Sequence, residues 1–323
     1  MIPNIIFIGH FAIDTIIRFK EKRKPSLGGS VSFGSLALSK YTKKVKIGII
    51  SNIGMQNFDI SLLNPLKKKH IELKIKKFDT LNTNFILNYE NHSRTLFLKS
   101  RSPDLEIDDI PINLSEEPPN IIILAPLCNE IKIEYVEEIL KIFPKAYVGI
   151  DLQGFLRRRD PENGRISYLF DEKLLSNVRN IIEIIGDKLI LKGSEIEMKL
   201  LSEKEELIEV MEYFNEFENN GIYIMTLGEA GSMITKQGEK LLKIPAFTPD
   251  IVVDETGAGD VYLAIFIYEL FNSDFSWSSV ENSALYASSA ASFLVEKKGT
   301  NGSESMKKVF KRLCQKNYIE GCR

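Results

Sequence analysis

Asp254-Glu255-Thr256-Gly257-Ala258-Gly259-Asp260 is the stretch on which the reading of this chain turns. The apolar residues that follow it, Val261, Leu263, Ala264, Phe266 and Ile267, recur at helical spacing, so a helix is expected over 258–270 with the glycines at its start. A helix start presents unpaired backbone N–H groups and the positive end of the aligned peptide dipoles. Glycine lets an anion come close to that backbone, which makes a phosphate site. Asp260 adds a carboxylate in the same first turn. It can take the proton of a hydroxyl while the N–H groups hold charge developing on a transferred phosphoryl group. Positioning and electrostatics are most of what phosphoryl transfer requires. The plainer reading is a helix start capped by Asp, and the string alone leaves it open.

Outside that string, short β-branched runs alternate with longer amphipathic segments, a pattern of α/β units on a mostly parallel sheet. Strands are expected at 5–8, 45–50, 121–124, 147–150, 188–191 and 222–226, and further helices at 30–40, 134–143 and 280–294. Two stretches break the alternation. One is 13–19. The other is 84–98, where Phe85-Ile86-Leu87 and Thr95-Leu96-Phe97-Leu98 flank a polar segment that includes Asn91, as in a hairpin. Together they are expected to form a small secondary sheet beside the main body.

The composition excludes several function classes. The 42 basic and 44 acidic side chains give a net charge of -2, which offers no general attraction to nucleic acid or an anionic membrane. Lys67-Lys68-Lys69 reads as a solvated face. Cys128, Cys314 and Cys322 are too few and scattered for a disulfide framework, which points to a reducing cytoplasm. No run approaches the roughly 20 apolar residues of a transmembrane helix, and 5–8 is too short for a secretion signal. There is no Gly-x-x-x-x-Gly-Lys-Ser/Thr loop. His10, His70 and His92 are dispersed, which makes a zinc hydrolase a poor fit.

The Asp-x-Thr-Gly-Ala-Gly-Asp string closely resembles the motif of the ribokinase-like (PfkB) carbohydrate kinases, in the last third of the chain where that family carries it. The resemblance implies a three-layer α/β/α ribokinase-like body with a mostly parallel central sheet. It implies a single domain over 1–323, with a small β lid from about 14–19 and 84–98. It also implies an ATP-dependent phosphotransferase acting on a hydroxyl of a small polyol or sugar. Asp260 would be the general base, and Gly257, Ala258 and Gly259 the anion hole.

Shorter matches extend the resemblance along the chain. Asp14 falls where the family grips substrate hydroxyls with an acid, a residue that can accept from two donors. Gly28-Gly29-Ser30 resembles the family's glycine pair against the sugar, and Phe33 stands where most of its sugar kinases have Asn. Asp151-Leu152-Gln153-Gly154-Phe155-Leu156-Arg157 ends an expected strand, at the sheet edge where ligands bind. That segment, Gly9-His10, Arg101-x-Pro103 and Phe33 look like the archaeal myo-inositol kinases of the family. The resemblance thus implies that Asp14, Gly28, Gly29, Ser30, Gln153, Arg157 and Asp260 bind the acceptor, with myo-inositol as first choice. A furanose sugar or nucleoside acceptor is the alternative, and a ligand-binding homologue without catalysis is less expected.

On the donor side, Lys192-Gly193-Ser194-Glu195-Ile196-Glu197 aligns with the family's Asn-x-x-Glu motif, with Ser194 in place of Asn. Glu197 would hold Mg2+ through water, suited to an ion that dehydrates reluctantly. The same Ser194 and Glu197 have the spacing of a capping box. Thr226, Gly228 and Gly231 lie in a segment like the family's nucleotide-phosphate loop. With Lys192, Ser194, Gly257 and Gly259 they form the implied ATP site, and 287–291 with Lys298-Gly299 would line its adenine side. The expected partners are ATP and a small-molecule acceptor, in a cytoplasmic monomer or homodimer.

Overall fold

The computed structural model describes residues 2–18, 21–22, 25–90, 93–110 and 117–319. Phe19, Asn91, His92 and Cys322 lie outside the described residues. The body is built on a nine-stranded sheet. From one edge to the other its strands run Leu242–Ile244, Ser232–Thr235, Ile222–Thr226, Leu189–Ser194, Tyr147–Asp151, Ile121–Leu124, Asn4–Ile8, Lys46–Gly54 and Glu72–Phe78. All neighbouring pairs are parallel except the two made by Ser232–Thr235.

Period-two alternation along each strand separates two cores. Ile5, Phe7, Ile47, Ile49, Ile121 and Ile123 face one layer, and Ile6, Ile8, Ile50, Ile122 and Leu124 the other. The first layer is packed by helices Ser30–Tyr41, Ala258–Phe271, Trp277–Leu294 and Met306–Gln315. The second takes Ile133–Ile142, Glu172–Ile185, Glu195–Ser202 and Leu207–Asn215. Ala258–Phe271 buries side chains on every side, from Val261 to Leu270. A helix that is apolar all round belongs in a core, and here it anchors the helix start firmly. This is the α/β/α body the resemblance implies. Among the described residues no helix is long and apolar enough to cross a membrane.

A separate five-stranded sheet covers the carboxyl edge of the body. Ala12–Arg18 pairs with Ser26–Gly28 and Glu21–Lys22 antiparallel, and with Asn84–Glu90 parallel. Asn84–Glu90 and Ser93–Ser100 form the expected hairpin. This second sheet, the one expected to form the lid, takes in Ser26–Gly28 and Glu21–Lys22 besides the stretches 14–18 and 84–98.

Lid and body meet at a buried polar knot. The Glu130 carboxylate accepts from the backbone N–H groups of Leu127 at 2.7 Å, Cys128 at 2.7 Å and His10 at 3.3 Å. His10 Nε2 lies 2.9 Å from the Pro103 carbonyl and can only donate there, so Nδ1 accepts from the Thr83 hydroxyl, at 3.0 Å, when the ring is neutral. Burial keeps the ring neutral by lowering its pKa, against the pull of Glu130. Both His10 and Glu130 are fully buried. Glu130→Ala would strand three buried N–H donors and should cost about 3 kcal/mol or more of unfolding free energy in a urea titration. A loss below about 0.5 kcal/mol would mean that the 126–130 turn is held by other contacts.

Candidate active site

The parallel sheet sets its functional residues side by side. Asp151 and Lys192 are register partners on adjacent strands, as are Ser194 and Thr226. All four stand at the carboxyl edge, the ligand edge of open α/β sheets. The Lys192 ammonium contacts Asp151 Oδ2 at 2.7 Å, with both side chains buried. Burial works against its charge, but Asp151, Glu197 and Asp260 around it raise its pKa and keep it protonated.

The start of Ala258–Phe271 stands over this pair. Its N-cap, Gly257, has φ 84°, a left-handed conformation that side chains with a Cβ rarely adopt. A Cβ on Gly257 would also lie 2.1 Å from Phe33 Cδ1, and one on Gly259 would lie 2.6 Å from Lys192 Nζ. The ammonium thus lies directly beneath the glycine backbone. Asp254, at the head of the string, accepts from the N–H of Thr256 at 3.2 Å and of Gly299 at 3.2 Å. Its role is to hold the loop. Lys298-Gly299, expected against the adenine, meets this loop through the Gly299 N–H bond to Asp254.

Asp260 accepts a hydrogen bond from Ser30, whose hydroxyl in turn accepts from Gln153 Nε2 at 2.6 Å. Burial, and then the neighbouring Asp151 carboxylate, push the Asp260 carboxyl up to about 7. Lys192, Ser30 and Arg157 pull the other way.

Two cavities flank this helix start. The smaller, about 90 Å³, lies under the lid. Asp14, Ser30, Gln153, Arg157 and Asp260 give it a polar side, while Phe33, Phe85, Leu87 and Leu96 give it an apolar one. The larger, about 700 Å³, has Ser194, Thr226, Gly228 and Gly231 along one rim and Phe247, Pro249, Val252, Ala291, Val295 and Ile319 as an apolar wall. Thr256, Gly257 and Asp260 face the first, and Glu255, Ala258 and Gly259 the second. The predicted residues therefore gather around one dividing element. Gly28 differs: the Asp14 carboxylate occupies the space its Cβ would need, so it makes room for a wall residue and lies behind the wall itself.

Glu197 is buried outside both walls. One oxygen accepts from the Ser194 N–H at 2.7 Å and completes the expected capping box. The other accepts from the Tyr168 hydroxyl at 2.8 Å. Each oxygen keeps a second lone pair with which it could accept from a water. Among the described residues no group of three or more His, Cys, Asp or Glu is placed to hold a metal.

Sequence reading missed Tyr168, Phe247 and Ile319. The last two meet because the chain end pairs back, with Ile319 N–H donating to the Ala246 carbonyl at 3.0 Å and a bridge between Phe247 and Tyr318. No local pattern announces a contact at that separation.

Residues 35–307 match the profile described as pfkB family carbohydrate kinase. The chain belongs to that family. It is accordingly a phosphotransferase acting on a sugar-type hydroxyl. No curated protein sequence matches it. A pyrophosphate-dependent kinase in the ribokinase family, complexed with a pyrophosphate analog and myo-inositol, superposes with a TM-score of 0.71 at 20% identity, over 91% of this chain and 96% of that one. Thermotoga maritima ribokinase gives 0.72 at 20%, over 96% and 99%. Methanocaldococcus jannaschii nucleoside kinase gives 0.69 at 22%, over 97% and 98%. All share the ribokinase-like fold with this pfkB kinase.

Gly257→Ala tests the helix start. Both the φ and the Phe33 contact oppose a Cβ there, so turnover should fall at least tenfold while the fold persists by circular dichroism. Turnover within twofold of wild type would show that the helix start can shift without consequence.

Proposed function

We propose that this kinase transfers the terminal phosphoryl group of ATP to a hydroxyl of a compact, uncharged polyol, with myo-inositol as first choice. One observation carries the reading: a single helix N-terminus is the shared wall of two cavities of different character. The larger suits a nucleotide. Its apolar side offers burial to a base, a surface that pyrophosphate would leave unused. The smaller suits an acceptor with hydroxyls along one side and a C–H face on the other. The inositol-like motif set and the structural likeness to a kinase complexed with myo-inositol support the acceptor choice.

In this reading Asp14, Ser30, Gln153 and Arg157 orient the acceptor. Asp260 takes the proton from the attacking hydroxyl as its oxygen bonds to phosphorus and the bond to the departing ADP oxygen breaks. The N–H groups of Gly257 to Gly259 and the Lys192 ammonium hold the charge on the phosphoryl group in flight. Mg2+ arriving with the donor would be held through water by Glu197 and would neutralise phosphate charge. The lid keeps water away from the reacting centre.

Asp260→Asn should lower kcat by about two to four decades with little change in acceptor binding by calorimetry. Near-normal turnover would remove Asp260 as the base. Wild-type kcat/KM should decline as pH drops through about 7, since protonation removes the base, and the limb should vanish in the Asn variant.

A phosphotransfer screen of ATP and pyrophosphate against myo-inositol, hexoses, furanoses and nucleosides decides the substrates. ATP-dependent phosphorylation of myo-inositol is expected. Activity with pyrophosphate alone, or on nucleosides alone, would overturn the corresponding half of the assignment.

A further inference from the structure

We propose that Tyr168 is a positioning residue whose hydroxyl ties the acceptor-side Arg157 to the donor-side Glu197. Arg157 is buried, and each of its guanidinium nitrogens has one role. Nη1 donates to the Leu127 carbonyl at 3.0 Å, Nη2 to Gln153 Oε1 at 2.7 Å, and Nε to the Tyr168 hydroxyl at 3.3 Å. The Tyr168 hydroxyl then donates to Glu197 Oε1 at 2.8 Å. The direction of these bonds is forced. A guanidinium only donates and a carboxylate only accepts, so the one group between them must do both. A phenol does so, and a phenyl ring cannot.

The chain of contacts continues at both ends. Gln153 reaches Ser30 and through it Asp260, while Glu197 holds the N–H of Ser194, which lines the donor cavity. Tyr168 itself lies on the irregular segment between the short strand Ile166–Ser167 and helix Glu172–Ile185. No ladder fixes its hydroxyl there, so these two bonds and its packing on the second core set its place. Losing the hydroxyl leaves Arg157 Nε without its acceptor and Glu197 Oε1 without its donor at once. The naming of the two sides rests on the function proposed above.

Tyr168→Phe removes one oxygen and keeps the ring. KM for the acceptor and KM for ATP should each rise roughly tenfold, with kcat within about threefold, since hydrogen bonds to charged groups are among the stronger ones. In an Arg157→Met background, which keeps bulk, the Tyr168 change should add nothing to the acceptor KM. Unchanged KM values, a rise on one side only, or full multiplication in the double variant would overturn the proposal. A second measurement needs no turnover. Hydrogen exchange of the Arg157 Nε–H, followed by ¹⁵N NMR, should be at least tenfold faster in Tyr168→Phe. Equal exchange rates would sink the link whatever the enzyme does. A faster rate in a protein that phosphorylates nothing would instead count against the proposed function alone.

Discussion

The site depends on one helix beginning where two cavities meet. In the proposed function this helix N-terminus serves a phosphoryl group in transit, which requires acceptor and donor to reach it from different sides. Its backbone must therefore be bare on both, and its position must be fixed. Bareness comes from Gly257 and Gly259, the first against Phe33 and the second against Lys192. Fixity comes from the rest of Ala258–Phe271, which is surrounded by core. A solvent-facing helix with the same first turn would have one open side and room to move. The glycine string and the apolar run after it thus form one device.

The sheet supplies the charges that make this position reactive. In a parallel sheet, residues in register at the carboxyl ends lie next to one another without any long side chain reaching across. That places Lys192 against Asp151 and directly below Gly259. The pair solves a conflict. An ammonium under the glycines favours an incoming phosphate, but buried alone it would tend to lose its proton. Asp151 keeps it charged. Burial first, and then the same Asp151, raise the pKa of Asp260, so the partner that secures the cation also helps bring the carboxyl proposed as the base near neutral. Two opposite demands are met with one carboxylate.

How much of this was legible in the sequence follows from the range of each interaction. The buried strands were legible because a sheet covered on both faces leaves continuous apolar runs such as 121–124. The helix start was legible because its chemistry is local to seven residues. Glu72–Phe78 was not, since an edge strand carrying Glu72, Lys74, Lys76 and Lys77 has the polar dress that protects edges and hides strands. Helix Glu172–Ile185 was legible and passed over: Asp171 caps it, and Leu175, Val178, Ile181, Ile182 and Ile185 keep helical spacing. The lid was half-read because Ser26–Gly28 is too short to show a period and exists only by pairing with Ala12–Arg18. Phe247 against Tyr318 and Arg157 against Tyr168 are products of tertiary packing, and nothing in either local stretch encodes the partner.

In the proposed function, acceptor choice and phosphoryl handling are joined at Phe33. Its ring lines the acceptor cavity and also fills the space where a Gly257 side chain would stand. A residue chosen only for the acceptor could be exchanged freely, as folds of this kind exchange their substrate contacts. Phe33 cannot be, because a smaller polar residue would leave a void beside the N-cap as well as altering the acceptor wall. Cavities next to packed backbone invite relaxation, and here the backbone that would relax is the glycine turn proposed to hold the phosphoryl group. In the proposed function the flat apolar wall therefore belongs to the catalytic geometry as much as to specificity, and a substitution at this position has to be accompanied by repacking under Gly257.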